Sequence, residues 1–131
     1  MRYLTLAEAL TIAEAVTGTR AAALARASRL DLLDSALHAP QAGFGDVEFY
    51  PDLVDKAAVL VVRIAKNHPL PDGNKRLAWQ SLTMFYALNG HTLEVSTDQA
   101  VELMLAIAAG DLDETAVAAW LTDHLDAPES A

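Results

Sequence analysis

A chain of 131 residues with 53% apolar side chains can form one domain with its own core, which argues against a two-domain enzyme and against a chain that is disordered as a whole. Its 18 acidic residues outnumber the 9 basic ones, and the formal charge of −9 disfavours direct binding to nucleic acid. The absence of cysteine excludes disulfides and thiolate metal sites.

The N-terminus lacks the unbroken apolar run of a signal peptide, and no segment approaches the roughly 20 apolar residues needed to cross a bilayer. These features predict a cytoplasmic protein that makes no membrane contact. An acidic surface also suits a basic protein partner.

The first half of the chain is dominated by helical patterns. Thr5 and Glu8 form a capping box, and apolar residues at helical spacing follow until Gly18 closes the segment. Residues 20–38 are rich in Ala, Leu and Arg without a breaker, which predicts one longer helix that Pro40 ends.

Residues 41–50 change character, because two glycines flank Phe44 and because Val47 and Phe49 alternate with a polar residue. This pattern predicts a turn followed by a short strand, in the form of a small hairpin. An ordinary surface loop is the alternative.

The next segment predicts a largely buried helix. Pro51 suits the first helical position, and five apolar residues follow on one face, namely Leu53, Ala57, Leu60, Val61 and Ile64. This helix leads directly to His68, at the start of the chain's densest group of chemically reactive side chains.

That group is the sequence His68-Pro69-Leu70-Pro71-Asp72-Gly73-Asn74-Lys75-Arg76. The two prolines keep the backbone extended, and the turn signal at Asp72 and Gly73 predicts that a helix begins at or just after Gly73. Unpaired N–H groups at a helix start, two cations and a glycine that permits close approach together predict a phosphate site.

The remaining segments also predict helices, one ending at Asn89 and Gly90, one around residues 101–109, and a last one opened by Asp111 and Glu114. Residues 91–95 alternate briefly and suggest extended chain. We therefore predict one all-α domain over residues 1–126, a compact helical bundle with a small β-hairpin, followed by a flexible tail at 127–131.

The reactive stretch resembles the signature of the Fic/Doc family, approximately His-x-Phe-x-Asp/Glu-Gly-Asn-Gly/Lys-Arg. Six positions fit, namely His68, Asp72, Gly73, Asn74, Lys75 and Arg76. Leu70 replaces the usual Phe, and Trp79 stands where adenylyl transferases carry a second Arg. Lys75 and the absence of that Arg resemble the death-on-curing (Doc) branch.

The residues suggest definite roles. His68 is predicted as the general base and Asp72 as the ligand of Mg²⁺, with Lys75 as a catalytic cation. The predicted phosphate- and nucleotide-binding residues are Gly73, Asn74, Lys75, Arg76 and, from the resemblance, Gln80. Because Arg76 and Gln80, like Lys75 and Trp79, are four residues apart, their side chains should border one pocket. Trp79 and Trp120 fit core positions better than nucleotide-stacking ones.

The resemblance implies a toxin that uses Mg-ATP to phosphorylate a Ser or Thr hydroxyl of a protein, elongation factor Tu being the target known for Doc relatives. It further implies a hairpin flap that holds the target through Phe44, Gly45, Asp46 and Val47, and a small antitoxin with a helix-forming C-terminal segment. The chain lacks the inhibitory segment that some Fic proteins carry. Transfer of AMP and a non-catalytic interaction module are the alternatives.

Overall fold

In the computed structural model, which describes residues 1–125, seven α-helices and one two-stranded hairpin form the fold. The elements in order are α1 (Leu6–Thr17), α2 (Ala21–Ala27), α3 (Leu30–His38), β1 (Gly43–Phe44), β2 (Val47–Glu48), α4 (Leu53–Asn67), α5 (Asn74–Leu88), α6 (Thr97–Ala108) and α7 (Glu114–His124). A short 3₁₀ turn, Ala39–Gln41, connects α3 to the hairpin. The all-α prediction is confirmed, whereas the predicted domain end at 126 and tail at 127–131 lie outside the described residues.

Helix α4 is the centre of the bundle and packs against α3, α5, α6 and α7. Its residues are buried almost without interruption from Lys56 to Ala65, which confirms the predicted enclosed position. Because a helix that is apolar on most faces must be covered on most faces, the neighbouring helices surround it and fix both of its ends.

The predicted single helix over residues 20–38 is wrong, because the chain forms α2 and α3 with a break between them. Ser28 is extended, and the Arg29 N–H donates to the carbonyl oxygen of Pro69 at 2.8 Å. This bond comes from a segment forty residues away in sequence. Helix propensity therefore yields here to a tertiary contact with the motif loop.

Two predicted helix starts are also corrected. Helix α4 begins at Leu53 rather than Pro51, because its first backbone bond, from the Lys56 N–H, closes on the Asp52 carbonyl at 3.0 Å. Helix α7 is capped by Asp113 rather than Asp111, since the Asp113 carboxylate accepts from the Ala116 N–H at 2.8 Å. Side-chain oxygens at this position satisfy backbone donors that have no partner in the helix.

The predicted extended stretch at 91–95 forms no regular strand and is reduced to one isolated bridge, between Leu93 and Leu125. The Glu94 N–H also donates to the carbonyl of His124 at 2.9 Å. These two contacts attach the end of α7 to the α5–α6 connection. No helix within residues 1–125 is both long and apolar enough to cross a membrane.

The predicted hairpin is confirmed. Gly43 pairs with Glu48 and Phe44 with Val47, and one further bond, from the Phe49 N–H to the Ala42 carbonyl at 3.0 Å, extends the pairing. All four strand residues are exposed. The hairpin thus stands on the surface of the bundle and contributes no side chain to the core.

Candidate active site

His68 ends helix α4 in the left-handed conformation, with φ 47° and ψ 57°. Among residues 1–125 it is the only residue other than glycine with a positive φ. Non-glycine residues adopt this region at a cost, and such strain is concentrated at functional sites. The conformation terminates the helix and leaves the imidazole exposed at the start of the loop to α5.

The loop after His68 is fixed by its own side chains. The Asn74 amide closes on Leu70 from both sides, accepting from its N–H at 2.8 Å and donating to its carbonyl at 2.9 Å. Leu70 itself is buried, so Leu fills the packing position that usually holds Phe. Because one Asn74 donor is used in this way, its backbone N–H and second amide hydrogen are the groups left for an anion.

Gly73 caps α5 in the left-handed conformation, with φ 84°. A Cβ at this position would lie 3.0 Å from Cγ2 of Thr17, at the end of α1. The backbone angle therefore favours glycine, and a larger residue would also press on the Thr17 side chain. The first three N–H groups of α5, those of Asn74, Lys75 and Arg76, have no acceptor within residues 1–125, which is the arrangement that binds anions.

The two motif cations lie in the first turn of α5, as predicted, and both are exposed. One Arg76 Nη donates to the Val16 carbonyl at 2.9 Å, which ties the guanidinium to the end of α1. Arg76 has further N–H donors for a ligand, because its guanidinium carries five. Sequence reasoning missed this contribution from α1, which becomes adjacent to the motif only in the folded chain.

A groove of about 510 Å³ runs beside these cations. Its lining residues are Val16, Lys75, Arg76, Trp79, Gln80, Thr97, Ala100, Val101, Met104 and Leu105. The prediction that Lys75, Trp79, Arg76 and Gln80 border one pocket is confirmed. The groove is basic at the N-terminal end of α5 and apolar along α6.

The α6 side of the groove was missed in the sequence, although a signal was present. Four residues of α6 face the core, namely Ala100, Leu103, Met104 and Ile107. Val101 and Leu105 fall outside that stripe, are four residues apart and are 51% and 55% exposed. An exposed apolar pair at helical spacing indicates an uncovered surface, but only the fold shows that α5 lies opposite.

The other predicted site residues lie apart from this groove. His68 and Asp72 are exposed in the loop before α5 and do not line it, and neither do the hairpin residues. Phe44 is 81% exposed. Within residues 1–125 no group of three or more acidic or histidine side chains lies close enough together to hold a metal ion, so Asp72 belongs to no such group.

The two tryptophans occupy different surroundings. Trp79 is partly buried against the core, as predicted, but it also lines the groove. Trp120 packs against the core and stacks on His124, with ring centres 3.9 Å apart. The His124 Nδ1 lies 2.7 Å from the Trp120 carbonyl, so contacts with its own helix are enough to explain the position of the His124 ring.

Comparison with known proteins agrees with the motif. A sequence profile described as the Fic/DOC family matches residues 3–86, a span that runs from the N-terminus into α5 and contains all the predicted motif residues. Toxin Doc of Mycolicibacterium smegmatis (strain ATCC 700084 / mc(2)155) is 42% identical over 101 residues, which cover 76% of this chain and 78% of that protein.

Proposed function

The chain belongs to the Fic/DOC family, and on that premise we propose that it is a Doc-like toxin that transfers the γ-phosphoryl group of ATP to a protein hydroxyl. The observation that carries the proposal is the start of α5, where three N–H groups that have no acceptor within residues 1–125 and two exposed cations meet the end of an open groove. These groups suit a polyphosphate, whose charge they would offset.

His68 is the proposed general base. As the hydroxyl oxygen of a Ser or Thr attacks the γ-phosphorus, a new O–P bond forms and the bond from phosphorus to the β,γ-bridging oxygen breaks. The hydroxyl proton passes to the neutral imidazole, and ADP leaves with the electron pair of the broken bond. The exposed position of His68 leaves room for a protein substrate to approach.

Lys75, Arg76 and the α5 N-terminus would hold the phosphates while this charge moves. Gln80, one turn further along α5, is proposed to contact the nucleotide in the groove. Asn74 has a different main task, because its side chain holds the loop through Leu70 and so sets the direction of the α5 N–H groups.

Mg²⁺ would fit this site as an ion held mainly by the phosphate groups of the nucleotide. Asp72 supplies a carboxylate in the motif loop, and residues 1–125 contain no cage of three or more potential protein ligands. Mg²⁺ in phosphoryl-transfer sites commonly binds through one or two carboxylates plus phosphate oxygens and water. When bound, the ion would neutralise phosphate charge.

Trp79 favours phosphoryl transfer over transfer of AMP. The cations that line the groove are Lys75 and Arg76, and one turn beyond Lys75 an indole occupies the place of a second arginine. An indole offers one N–H donor and no charge, so it cannot bind the far phosphates as a guanidinium does. A nucleotide bound with its γ-phosphate at the α5 N-terminus is therefore proposed.

The decisive experiment incubates the purified chain with cell lysate and ATP labelled on either the γ- or the α-phosphate. Protein labelled only from the γ-phosphate is expected, and label from the α-phosphate would assign the chain to the adenylyl transferases. Trp79→Arg gives a matched test. An unchanged reaction type and rate in that variant would show that Trp79 does not decide between phosphoryl and AMP transfer.

Elongation factor Tu is the proposed target, and the cytoplasm the corresponding site of action. Purified elongation factor Tu in place of lysate tests this directly, with labelling on Ser or Thr as the expected result. Labelling of a different lysate protein would keep the transfer reaction and reject the target.

A small antitoxin is the proposed partner, with a helix-forming C-terminal segment that binds near the hairpin and the motif. The charge of −9 suits a basic partner, and a segment that orders on binding should raise the melting temperature of the complex. Co-expression with the product of the adjacent small reading frame tests this. If that product neither copurifies nor relieves growth arrest, and the chain alone is harmless, the toxin assignment fails.

A further inference from the structure

Lys56, in the first turns of α4, is the one charged residue that is buried within residues 1–125, with 2% of its surface exposed. Its Nζ donates to the Pro40 carbonyl at 3.2 Å and to Oε1 of Glu48 at 3.0 Å. The ammonium also lies 5.8 Å from the centre of the Tyr3 ring. One charge thus joins α4 to the turn before the hairpin, to strand β2 and to the N-terminal segment.

Stability alone does not account for a charge in this place. Removing an ammonium from water is costly, and an apolar side chain of similar volume is often as stable as a buried ion pair or more so. What an apolar side chain cannot supply is a directed bond to Glu48, whose side chain is 55% exposed on the hairpin. The charge of Lys56 therefore serves to fix the position of the hairpin rather than to pack the core.

The hairpin depends on such a bond because it has few contacts of its own. Each strand is two residues long, and isolated two-stranded hairpins are at best marginally stable in water. A weaker tether lies on the other side, where the Tyr50 hydroxyl donates to Oε2 of Glu114 at 3.3 Å and Arg63 Nε donates to Oε1 at 3.1 Å. Burial and the Glu114 charge raise the pKa of Tyr50, which keeps this hydroxyl a donor.

We propose that Lys56 is a positioning residue that fixes the orientation of the hairpin for binding of the protein target. The inference rests on the proposed function and on the flap role that the family resemblance implies, in which the hairpin holds the protein target. Because Lys56 and His68 are attached to the same buried helix, the anchor of the hairpin and the proposed base keep a fixed separation. The tether thereby couples where the target binds to where its hydroxyl lies.

Lys56→Met tests the tether, since it keeps an unbranched side chain, one atom shorter, and removes the charge. Hydrogen exchange in peptides covering residues 43–50 should accelerate about tenfold, the change that corresponds to a lost restraint of 1.4 kcal/mol. The melting temperature should change little, because removal of the buried charge offsets the loss of its two hydrogen bonds. Lys66→Met is the matched control, an exposed lysine of α4 whose loss should leave hairpin exchange unchanged.

Glu48→Gln provides a second variant that leaves the core intact. It retains an acceptor of the same shape without the charge, so the expected acceleration is smaller, about threefold, because hydrogen bonds to charged groups are roughly twice as strong. The double variant should exchange no faster than Lys56→Met, since both changes remove one interaction. Unchanged hairpin exchange in Lys56→Met would overturn the inference.

The kinetic test distinguishes positioning from a purely structural role. With the target protein as the varied substrate, Lys56→Met should raise KM about tenfold and leave kcat close to its original value. Faster hairpin exchange with an unchanged KM would overturn the positioning role. If the unmodified chain transfers no label to any protein, the proposed function fails. The tether is refuted separately, by an unchanged rate of hairpin hydrogen exchange in Lys56→Met.

Discussion

The motif loop and the hairpin are both short connections attached to α4, but they are held in opposite ways. The loop at residues 68–73 is tied at several points, by Asn74 on Leu70, by Arg29 on Pro69 and by Gly73 against Thr17. The hairpin has exposed strands and is held from its base by charged and polar side chains.

This difference matches two different tasks. The proposed phosphoryl transfer requires donors fixed to within a fraction of an ångström before the substrate arrives. A loop that is hydrogen-bonded to Asn74 of α5 and to Arg29, just before α3, provides that. A surface that accepts a protein segment needs exposed edges and side chains, which the hairpin has. The molecule therefore places its rigid part at the proposed phosphate site and its open part at the proposed binding surface.

The largest expected effect comes from His68→Asn. Asn tolerates the left-handed conformation but cannot serve as a base at neutral pH, so label transfer should fall about 10²- to 10⁴-fold while the fold persists. Transfer is measured with γ-labelled ATP, and folding by thermal melting. Toxicity that survives this change at normal protein abundance would instead favour a non-catalytic interaction module.

His68→Ala sharpens that result. Alanine also removes the base, but its Cβ at φ 47° is strained without local compensation, so we expect an additional loss of about 1 kcal/mol in the free energy of unfolding. Equal melting temperatures for the Asn and Ala variants would argue against strain at this position.

Asn74→Ala should damage both stability and transfer, because it removes two hydrogen bonds that fix the loop. The free energy of unfolding is expected to fall by about 1–3 kcal/mol, and kcat by roughly tenfold or more. Asn74→Asp keeps the acceptor for the Leu70 N–H, so its stability and kcat should lie between those of the unmodified chain and of Asn74→Ala. A stable and fully active Asn74→Ala would show that the loop is held without this clamp.

Phe44→Ser tests the other side of the comparison. Its ring is 81% exposed, so the free energy of unfolding should change by less than about 0.5 kcal/mol. The KM for the protein target should rise about tenfold, as for one lost contact of 1.4 kcal/mol, with the KM for ATP unchanged. A rise in the KM for ATP instead would place the hairpin against the nucleotide.

The smallest effect is expected from Tyr86→Phe, inside α5 and away from the groove. The Tyr86 hydroxyl is buried with no partner among residues 1–125, so removing it should stabilise the protein by about 1 kcal/mol at neutral pH without altering transfer. Burial raises the pKa of Tyr86 well above its usual value near 10. Unfolded Tyr86 therefore loses its proton first, and stability should fall as pH rises above about 10.

That alkaline loss should be smaller in Tyr86→Phe, as measured by denaturant unfolding between pH 8 and 11, roughly the range that spans the ordinary tyrosine pKa. Some fall of stability with rising pH should remain in Tyr86→Phe, because the pKa of Tyr50 is also raised. Identical pH profiles for the two proteins would mean that the hydroxyl reaches a partner in solution.

The sequence by itself determined the helical class, the hairpin and the place where α5 begins, because each follows from local rules. Capping at Thr5, the turn at Gly73 and the four-residue spacing of Arg76 and Gln80 act within one or two turns of chain. The same locality explains why the motif residues could be identified before any fold was known.

Only the tertiary structure decided the features that depend on distant partners. The break at Arg29 exists because the Pro69 carbonyl pairs with its N–H, and Lys56 is buried because Glu48 and Pro40 receive its charge. The groove exists because α6 lies opposite α5. The contacts of Arg29 and Lys56 leave no local signature, and the apolar pair Val101 and Leu105 indicates an uncovered face without identifying the helix opposite. Composition, periodicity and turn signals report on neighbours along the chain and not on those across the core.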